Sequence, residues 1–535
     1  ILFILFLKFL NIFSVWTKFD YKTNEKSYQI INSTYGNGPQ LQIGSEFGHS
    51  IANIGDLNDD SIDDLVVGAI GETCIDRYGN TTLRCGAIYI LFMKNDATVL
   101  KSVRITNKVN GGPEFLQAND NFGASVASAG DVDGDGIIDI IVGSTETSQG
   151  GSLYVLFMKI DGTVRSYQII RGSYGNGPPI SQFTRMGYAL ANLGDLDGDN
   201  RPEIAVSSYD SSNRGRVFIF TLFTNGTVKH YDEVILRNST GYIYTPNIAT
   251  GFGWSISKIG DLNNDGMTDI AIGSPLYTDS HGVKQGGAIF ILLMNKTTVI
   301  DYHIANDSPD LKVPIQLQEY DRCGTSITTI GDINNDQLRT RYPKKPREKG
   351  TRHYGLRSIP DIVVGCTQEK NSRASGKFLF LFLNSIGSFY DFSFPPYKYP
   401  SNGPPLPVQS LFGTSMTYLT TPTIIEEYLD PLPIVIGSSQ SINSYTDSGN
   451  GGLGTEVQKK TGCLYVVYLS RRRYHPPPFN IILYYLSILL PVFLICICII
   501  ISIIVFFIYF RRKPDEIEIA VKKAGVEIGL QRKRI

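Results

Sequence analysis

The 535-residue chain carries 49 basic and 50 acidic side chains, a net charge of -1, which excludes a polycation built for nucleic acid and names no polyanionic partner. Its 53 Gly, 30 Tyr and 28 Phe, against 6 His and 2 Trp, fit many short strands joined by tight turns, so the bulk reads as all-β. The length suits two or three ordinary domains or one large repeat domain with its own core.

The chain opens on a mostly apolar stretch, Ile1 to Val15, broken by Lys8, Asn11 and Ser14. Its length matches a secretory h-region better than a membrane span. Residues 1–15 are therefore expected to be a signal peptide lacking its first residues, with a buried strand pair as the alternative.

From about residue 45 to 470 one unit recurs. Its clearest copy runs Phe122-Gly123, an apolar strand to Gly130, a nine-residue acidic loop from Asp131 to Asp139, the strand Ile140 to Gly143, a polar Gly-rich connection, and the strand Gly151 to Met158. The opening dipeptide returns as Phe47-Gly48, Met186-Gly187, Phe252-Gly253, Cys323-Gly324 and Phe412-Gly413, which makes six units. Loop starts at Asp56, Asp131, Asp195, Asp261 and Asp332 lie 75, 64, 66 and 71 residues apart, room for four strands each. Four-stranded units repeated radially predict a β-propeller over residues 27–470, with six blades and seven as the alternative. The pentapeptide SYQII at Ser27 to Ile31 repeats Ser166 to Ile170, the fourth strand of the second unit, whereas the sixth unit stops after its third strand, Gly462 to Leu469. A ring closed by pairing the N-terminal strand with the C-terminal three follows. In the fifth unit the strand Asp361 to Gly365 arrives late, behind a basic run from Leu338 to Ser358 that is either a surface loop or a mis-assigned coding segment.

After an Arg- and Pro-rich stalk, residues 471–478, the stretch Phe479 to Phe510 holds no charged residue and exceeds the ~20 residues needed to cross a bilayer. It is expected to be a transmembrane helix followed by a cytoplasmic tail, residues 511–535. With a signal peptide this gives a single-pass plasma-membrane protein whose ring is extracellular. Six Asn-x-Ser/Thr sequons, at Asn32, Asn80, Asn225, Asn238, Asn295 and Asn306, fit that topology as glycosylation sites. Cys74 and Cys85 flank a polar loop and could close a local disulfide in an oxidising compartment, while Cys323, Cys366 and Cys463 cannot be paired from sequence.

The acidic loops carry the chemistry. Calcium takes six to eight oxygen ligands, and alternate side chains of a tight loop can converge on it. The second unit offers Asp131, Asp133, Asp135 and Asp139, with the carbonyl of Ile137. The first offers Asp56, Asn58, Asp60, Asp64 and the carbonyl of Ile62; the third Asp195, Asp197, Asp199, Glu203 and that of Arg201. The fourth offers Asp261, Asn263, Asp265, Asp269 and the carbonyl of Met267, and the fifth Asp332, Asn334, Asp336 and Asp361 once its insertion is looped out. The sixth, Thr420 to Asp430, has lost the pattern. An EF-hand needs a Glu at position twelve and flanking helices, and that position in the second unit is Val142 in a β-rich run. Simple Asx-turns would explain one such loop, but not five in register with carboxylates that repel unless neutralised.

These residues, FGASVASAGDVDGDGIIDIIVGS from Phe122 to Ser144 above all, resemble the FG-GAP repeat of integrin α-subunit head domains. The resemblance implies a propeller with Ca2+ in first-to-second-strand loops on one face, and ligand or a β subunit bound by the other. Members of that family have seven repeats, loops in the later ones and β-sandwich legs; here six units carry loops early, with no room for legs before residue 479. The expected function is calcium-dependent cell adhesion or recognition of an extracellular protein or glycan. The alternatives are a regulatory or scaffolding subunit with a membrane-protein partner and, less favoured, a propeller-based enzyme. No nucleic-acid partner and no catalysis are expected, because the histidines lack metal-ligand spacing and neither a Gly-x-Ser-x-Gly elbow nor a clustered acid pair outside the loops is present.

Overall fold

A computed structural model describes residues 28–75, 79–147, 150–181, 184–210, 214–236, 250–278, 284–305 and, in shorter stretches, 317–469. The signal-peptide, stalk, membrane-span and tail expectations fall outside these residues. No helix long and apolar enough to cross a membrane occurs among the described residues.

Six four-stranded antiparallel sheets make six blades. From the inside outward the first holds Phe47–Gly55, Asp64–Ala69, Ala87–Met93 and Val99–Ile105; the second Phe122–Gly130, Asp139–Ser144, Ser152–Met158 and Val164–Ile170. The third holds Leu190–Gly194, Glu203–Tyr209, Gly215–Leu222 and Val228–Glu233; the fourth Ser255–Gly260, Asp269–Ser274, Ala288–Asn295 and Thr298–Ala305. The fifth holds Cys323–Gly331, Asp361–Cys366, Lys377–Leu383 and Phe389–Ser393. The sixth takes Phe412–Tyr418, Leu432–Ser438 and Cys463–Leu469 from the C-terminal side and Tyr28–Ile31 from the N-terminal side, paired in the register Tyr28↔Val467 to Ile31↔Leu464.

Strand alternation explains the packing. The second and third strands of the second blade are buried at every position because both their faces meet a neighbouring blade, whereas the fourth strand is buried only at its two ends and exposed or half-buried between. Six apolar clusters result, one between each pair of adjacent blades, including one between the sixth and the first built from Ile31, Phe47, Leu65, Val435 and Leu464. The opening Phe of a unit anchors this core: Phe47, Phe122 and Phe252 meet Tyr89, Tyr154 and Phe290 of their own third strands edge-on at 5.5, 5.3 and 5.2 Å.

The ring closes by the same contacts that join its consecutive blades. Parallel bridges link Gly86 to Phe122, Gly151 to Met186, Gly287 to Cys323 and, across the closure, Gly462 to Phe47. Nearer the axis, Ser50 Oγ donates to the carbonyl of Gly123, Ser125 to Gly187, Ser255 to Gly324, and Ser415 to Gly48, at 2.8, 2.6, 2.8 and 2.8 Å. The third blade inverts the device: Ala189 replaces the inner-strand Ser, and Ser207, standing where the others have Gly, accepts from the Ala189 amide at 2.8 Å.

The basic insertion begins and ends as a two-stranded hairpin, Leu338–Arg341 against Tyr354–Arg357, with Leu338 paired to Arg357. That pairing brings its two ends together, so the fifth blade resumes at Asp361 without a break in its sheet.

Cysteines left unpaired by the sequence find a partner here. Cys323 and Cys366 face each other in the register of adjacent strands, Cα atoms 4.0 Å apart, and form a disulfide; Cys74 and Cys85 form the expected one, Cα atoms 6.1 Å apart. Cys463 lies buried in the sixth blade and enters neither bridge. The Cys323–Cys366 bridge spans 43 residues, so Cys323→Ala with Cys366→Ala is expected to remove about 4 kcal/mol of stability on the chain-entropy model. Chemical unfolding of the variant under non-reducing conditions measures this.

One buried acid outside the loops sets a pH response. Burial raises Asp120 to about 6, against the backbone hydrogen bond from Gln117 and the field of Arg171. A carboxyl raised on folding favours the native state below its unfolded pKa, and that contribution is lost as pH rises through about 6. Asp120→Asn is expected to flatten melting temperature against pH between roughly 4 and 6 and to raise it above 7, because the amide still accepts from Gln117 without carrying charge.

Candidate metal centre

Each acidic loop joins the innermost strand of a blade to the second, so the loops share one face of the ring. Before each loop, Gly55, Gly130, Gly194, Gly260 and Gly331 sit at φ between 67° and 81°, the left-handed region that turns the strand into the loop where a β-carbon would be strained.

The loops are built from side-chain-to-backbone hydrogen bonds. In the second blade Asp131 Oδ1 accepts from the amides of Gly134 and Asp135 and its Oδ2 from Gly136, while Asp135 Oδ1 accepts from Ile137. The pattern returns at Asp56, with Asp60 and Ser61; at Asp195, with Gly198, Asp199 and Asn200; and at Asp261, with Asn264, Asp265 and Gly266. At position seven the amides of Ile62, Arg201 and Met267 donate to the position-five carboxylate as Ile137 does, fixing the residue whose carbonyl the sequence singled out.

The ninth-position acid is the anchor. Asp64, Asp139, Glu203, Asp269 and Asp361 are all fully buried. Asp64, Asp139 and Asp269 each accept two amides, one from loop position two and one from the end of the third strand: Leu57 and Met93, Val132 and Met158, Leu262 and Met294. The longer Glu203 reaches the Leu196 amide and the Thr221 hydroxyl, and Asp361 accepts from the Leu383 amide. Burial raises Asp64 and Asp139 to about 7 and Asp269 to about 6, opposed by those amides and reinforced by the neighbouring loop carboxylates; burial raises Glu203 as well.

The oxygens fit a hard divalent cation. Carboxylate oxygens of Asp131, Asp133 and Asp139 lie within 4.8 Å of one another, as do those of Asp195, Asp197 and Asp199. Asp133 Oδ1 is buried without a hydrogen-bond partner among the described residues, an arrangement that a cation would satisfy. In the fifth loop Asp332 and Asp361 are described, while Asn334 and Asp336 lie outside the described residues, as does the sixth-blade segment 420–430.

Two residues at these loops escaped the sequence reading. Arg165, on the fourth strand of the second blade, pairs with Asp133 and with Asp135, the latter at 2.7 Å; Lys229, at the same place in the third blade, pairs with Asp199 at 3.1 Å. The detectable signal is a buried Val followed by a basic residue, Val164-Arg165 and Val228-Lys229, at the start of the fourth strand.

The sequons divide. Asn80, Asn225 and Asn295 are exposed, and Asn238 and Asn306 fall outside the described residues. Asn32 is only 5% exposed, and its Oδ1 accepts the Thr34 and Tyr35 amides, so the side chain shapes a turn. Asn225 also closes a turn, accepting from Thr227 as Asp96 does from Thr98 and Asp161 from Thr163. Tyr277, on the connection after the second strand of the fourth blade, is half-buried with its ring against Phe290, because that connection folds back onto the core.

The family model of the FG-GAP repeat matches residues 252–292, and that of an FG-GAP-like repeat matches residues 131–206. The chain is 29% identical over 244 residues to integrin alpha-5 of Xenopus laevis, covering 43% of this chain and 20% of that protein. It is 32% identical over 168 residues to integrin alpha-3 of Cricetulus griseus, 31% of this chain and 14% of that one. To integrin alpha-PS2 of Drosophila melanogaster it is 30% identical over 188 residues, 34% and 12%. The matched part thus spans a fifth or less of each relative. With repeat signatures in its second to fourth blades, six blades around a closed ring and these relatives, the chain is an FG-GAP repeat protein with a propeller similar to that of integrin α subunits.

Proposed function

We propose that the chain is a calcium-binding, integrin-α-like cell-surface protein that recognises an extracellular protein or glycan. The observation that carries this reading is the recurrence, in four loops on one face of an FG-GAP ring, of the same oxygen-rich turn closed by a buried acid. Bound calcium would supply positive charge that offsets carboxylate repulsion, while the loop amides hold each acid in place and the buried ninth residue ties the loop to the third strand.

Two disulfides suit an oxidising compartment, and the uncharged stretch 479–510 suits anchorage in the plasma membrane. In this reading the ring binds and does not catalyse, and the face opposite the loops meets the ligand. A partner subunit in the same membrane is the second reading, and it rests on the integrin alpha relatives.

The test is proximity labelling from the full chain at the cell surface, in calcium and in chelator. Recovery of an extracellular protein or glycoprotein that disappears with chelator is the expected result. A labelled set unchanged by chelator removes calcium-dependent recognition, and one stoichiometric membrane protein in both conditions favours the subunit reading.

A further inference from the structure

The four fully described loops fall into two kinds. In the first and fourth blades position three is an amide, Asn58 or Asn263, and its Nδ2 donates to Oδ2 of the position-five acid, Asp60 or Asp265, at 2.9 Å in both. In the second and third blades position three is an acid, Asp133 or Asp197, which has no donor to give. There the same Oδ2 atom, of Asp135 or Asp199, receives its hydrogen bond from Arg165 or Lys229 of the fourth strand, at 2.7 and 3.1 Å.

The fourth-strand position follows the loop type. In these four blades the fourth strand carries a buried Val at its first or second position: Val99, Val164, Val228 and Val299. The next residue is basic beside the two acid-type loops and apolar beside the two amide-type loops, where Leu100 and Ile300 are 58% and 40% exposed. Counted over the four alternating ligand positions, an amide-type loop carries three carboxylates. An acid-type loop carries four, and its strand base returns the net to three negative charges.

We infer that Arg165 and Lys229 are charge-matching residues, which bring the acid-type loops to the same net charge over the four side-chain ligand positions, and to the same position-five hydrogen bond, as the amide-type loops. The inference rests on the calcium reading. A loop with an extra acid and no base would bind a dication more tightly and, without the ion, would repel itself more strongly. The strand base therefore offsets the extra position-three acid in the field the ion meets and lets the ion-free loop fold. Arg165 and Lys229 act on the ion through the acids, as positioning residues.

The test uses the full chain in detergent micelles, with hydrogen exchange of the segments 56–64, 131–139, 195–203 and 261–269 followed by mass spectrometry as free calcium is raised. Each segment gives its own calcium midpoint, so a change in the second blade is read apart from the others. In the wild type the segments 131–139 and 261–269, neither of which has a charged side chain beyond the ligand positions, are expected to be protected at midpoints within about threefold of each other, since equal site charges give similar ion attraction. Arg165→Leu, which copies the first blade, is expected to lower the midpoint of 131–139 by about tenfold, and Asp133→Asn to raise it by a similar factor, the scale of one unit charge near a dication at a screened surface. The double variant, an amide-type loop, is expected to return to within about twofold of wild type.

A double variant whose midpoint stays as far from wild type as either single variant, or an Arg165→Leu midpoint equal to wild type, overturns the inference. If no segment gains protection from calcium in the wild type, the calcium reading has failed. Charge matching is then decided by melting the same four proteins in chelator: a loss of stability in Arg165→Leu that Asp133→Asn restores keeps it, and independent effects reject it.

Discussion

Removing calcium is expected to lower the melting midpoint of the chain by roughly 10 °C. An ion bound only by the native state at about 100 times its dissociation constant stabilises it by about 2.7 kcal/mol per site, and four loops share the ring. At the per-residue unfolding entropy of globular proteins, a ring of this size shifts by about one degree per kcal/mol. Melting the full chain in detergent with millimolar calcium and with excess chelator measures the difference. Equal midpoints would leave the loops as Asx-turns alone, which their internal hydrogen bonds can sustain without an ion. Asp139→Asn should reproduce part of the shift in calcium, because it removes the buried acid that joins the second loop to the Met158 amide and leaves three acids at the ligand positions.

The second large effect belongs to a glycine. Gly143 lies in the second strand of its blade where the innermost strand of the next blade passes over it; a β-carbon added there would stand 2.1 Å from the Gly187 carbonyl and 2.3 Å from Ser125 Oγ. Both neighbours are held, since Ser125 Oγ donates to that same carbonyl. Gly143→Ala must therefore open the gap between two blades, and a cost of about 3 kcal/mol or more is expected, at the upper end for overpacked cores. The first, fourth and sixth blades repeat the constraint at Gly68, Gly273 and Gly437, 2.0 to 2.2 Å from the next blade's carbonyl. The third blade supplies the control, for Ser207 occupies that place with Ala189 opposite it. Chemical unfolding compares Gly143→Ala with Ala189→Gly, which enlarges the space beside Ser207 and is expected to cost about 1 kcal/mol. A wild-type midpoint for Gly143→Ala would show that the blades are free to separate.

Repetition made much of this molecule readable. A strand that must be apolar on both faces, a glycine before each loop and acids at alternate positions are local requirements, so each unit states them again, and their spacing gave six blades and the place of every loop. Ring closure was legible for the same reason: SYQII at residues 27–31 is a fourth-strand sequence without its own first three, and Tyr28–Ile31 indeed pairs with Cys463–Leu469. Contacts between distant segments were decided only by the tertiary structure. Cys323 meets Cys366 because an insertion of any length can be looped out of a hairpin once its ends pair, as Leu338 and Arg357 do. Asn32 carries a sequon that reads as surface, yet its side chain is turned inward by two backbone amides. Arg165 and Lys229 stand about 30 residues from the acids they pair with and outside the acidic loop pattern; only the folding of a fourth strand beside its own first loop brings the charges together.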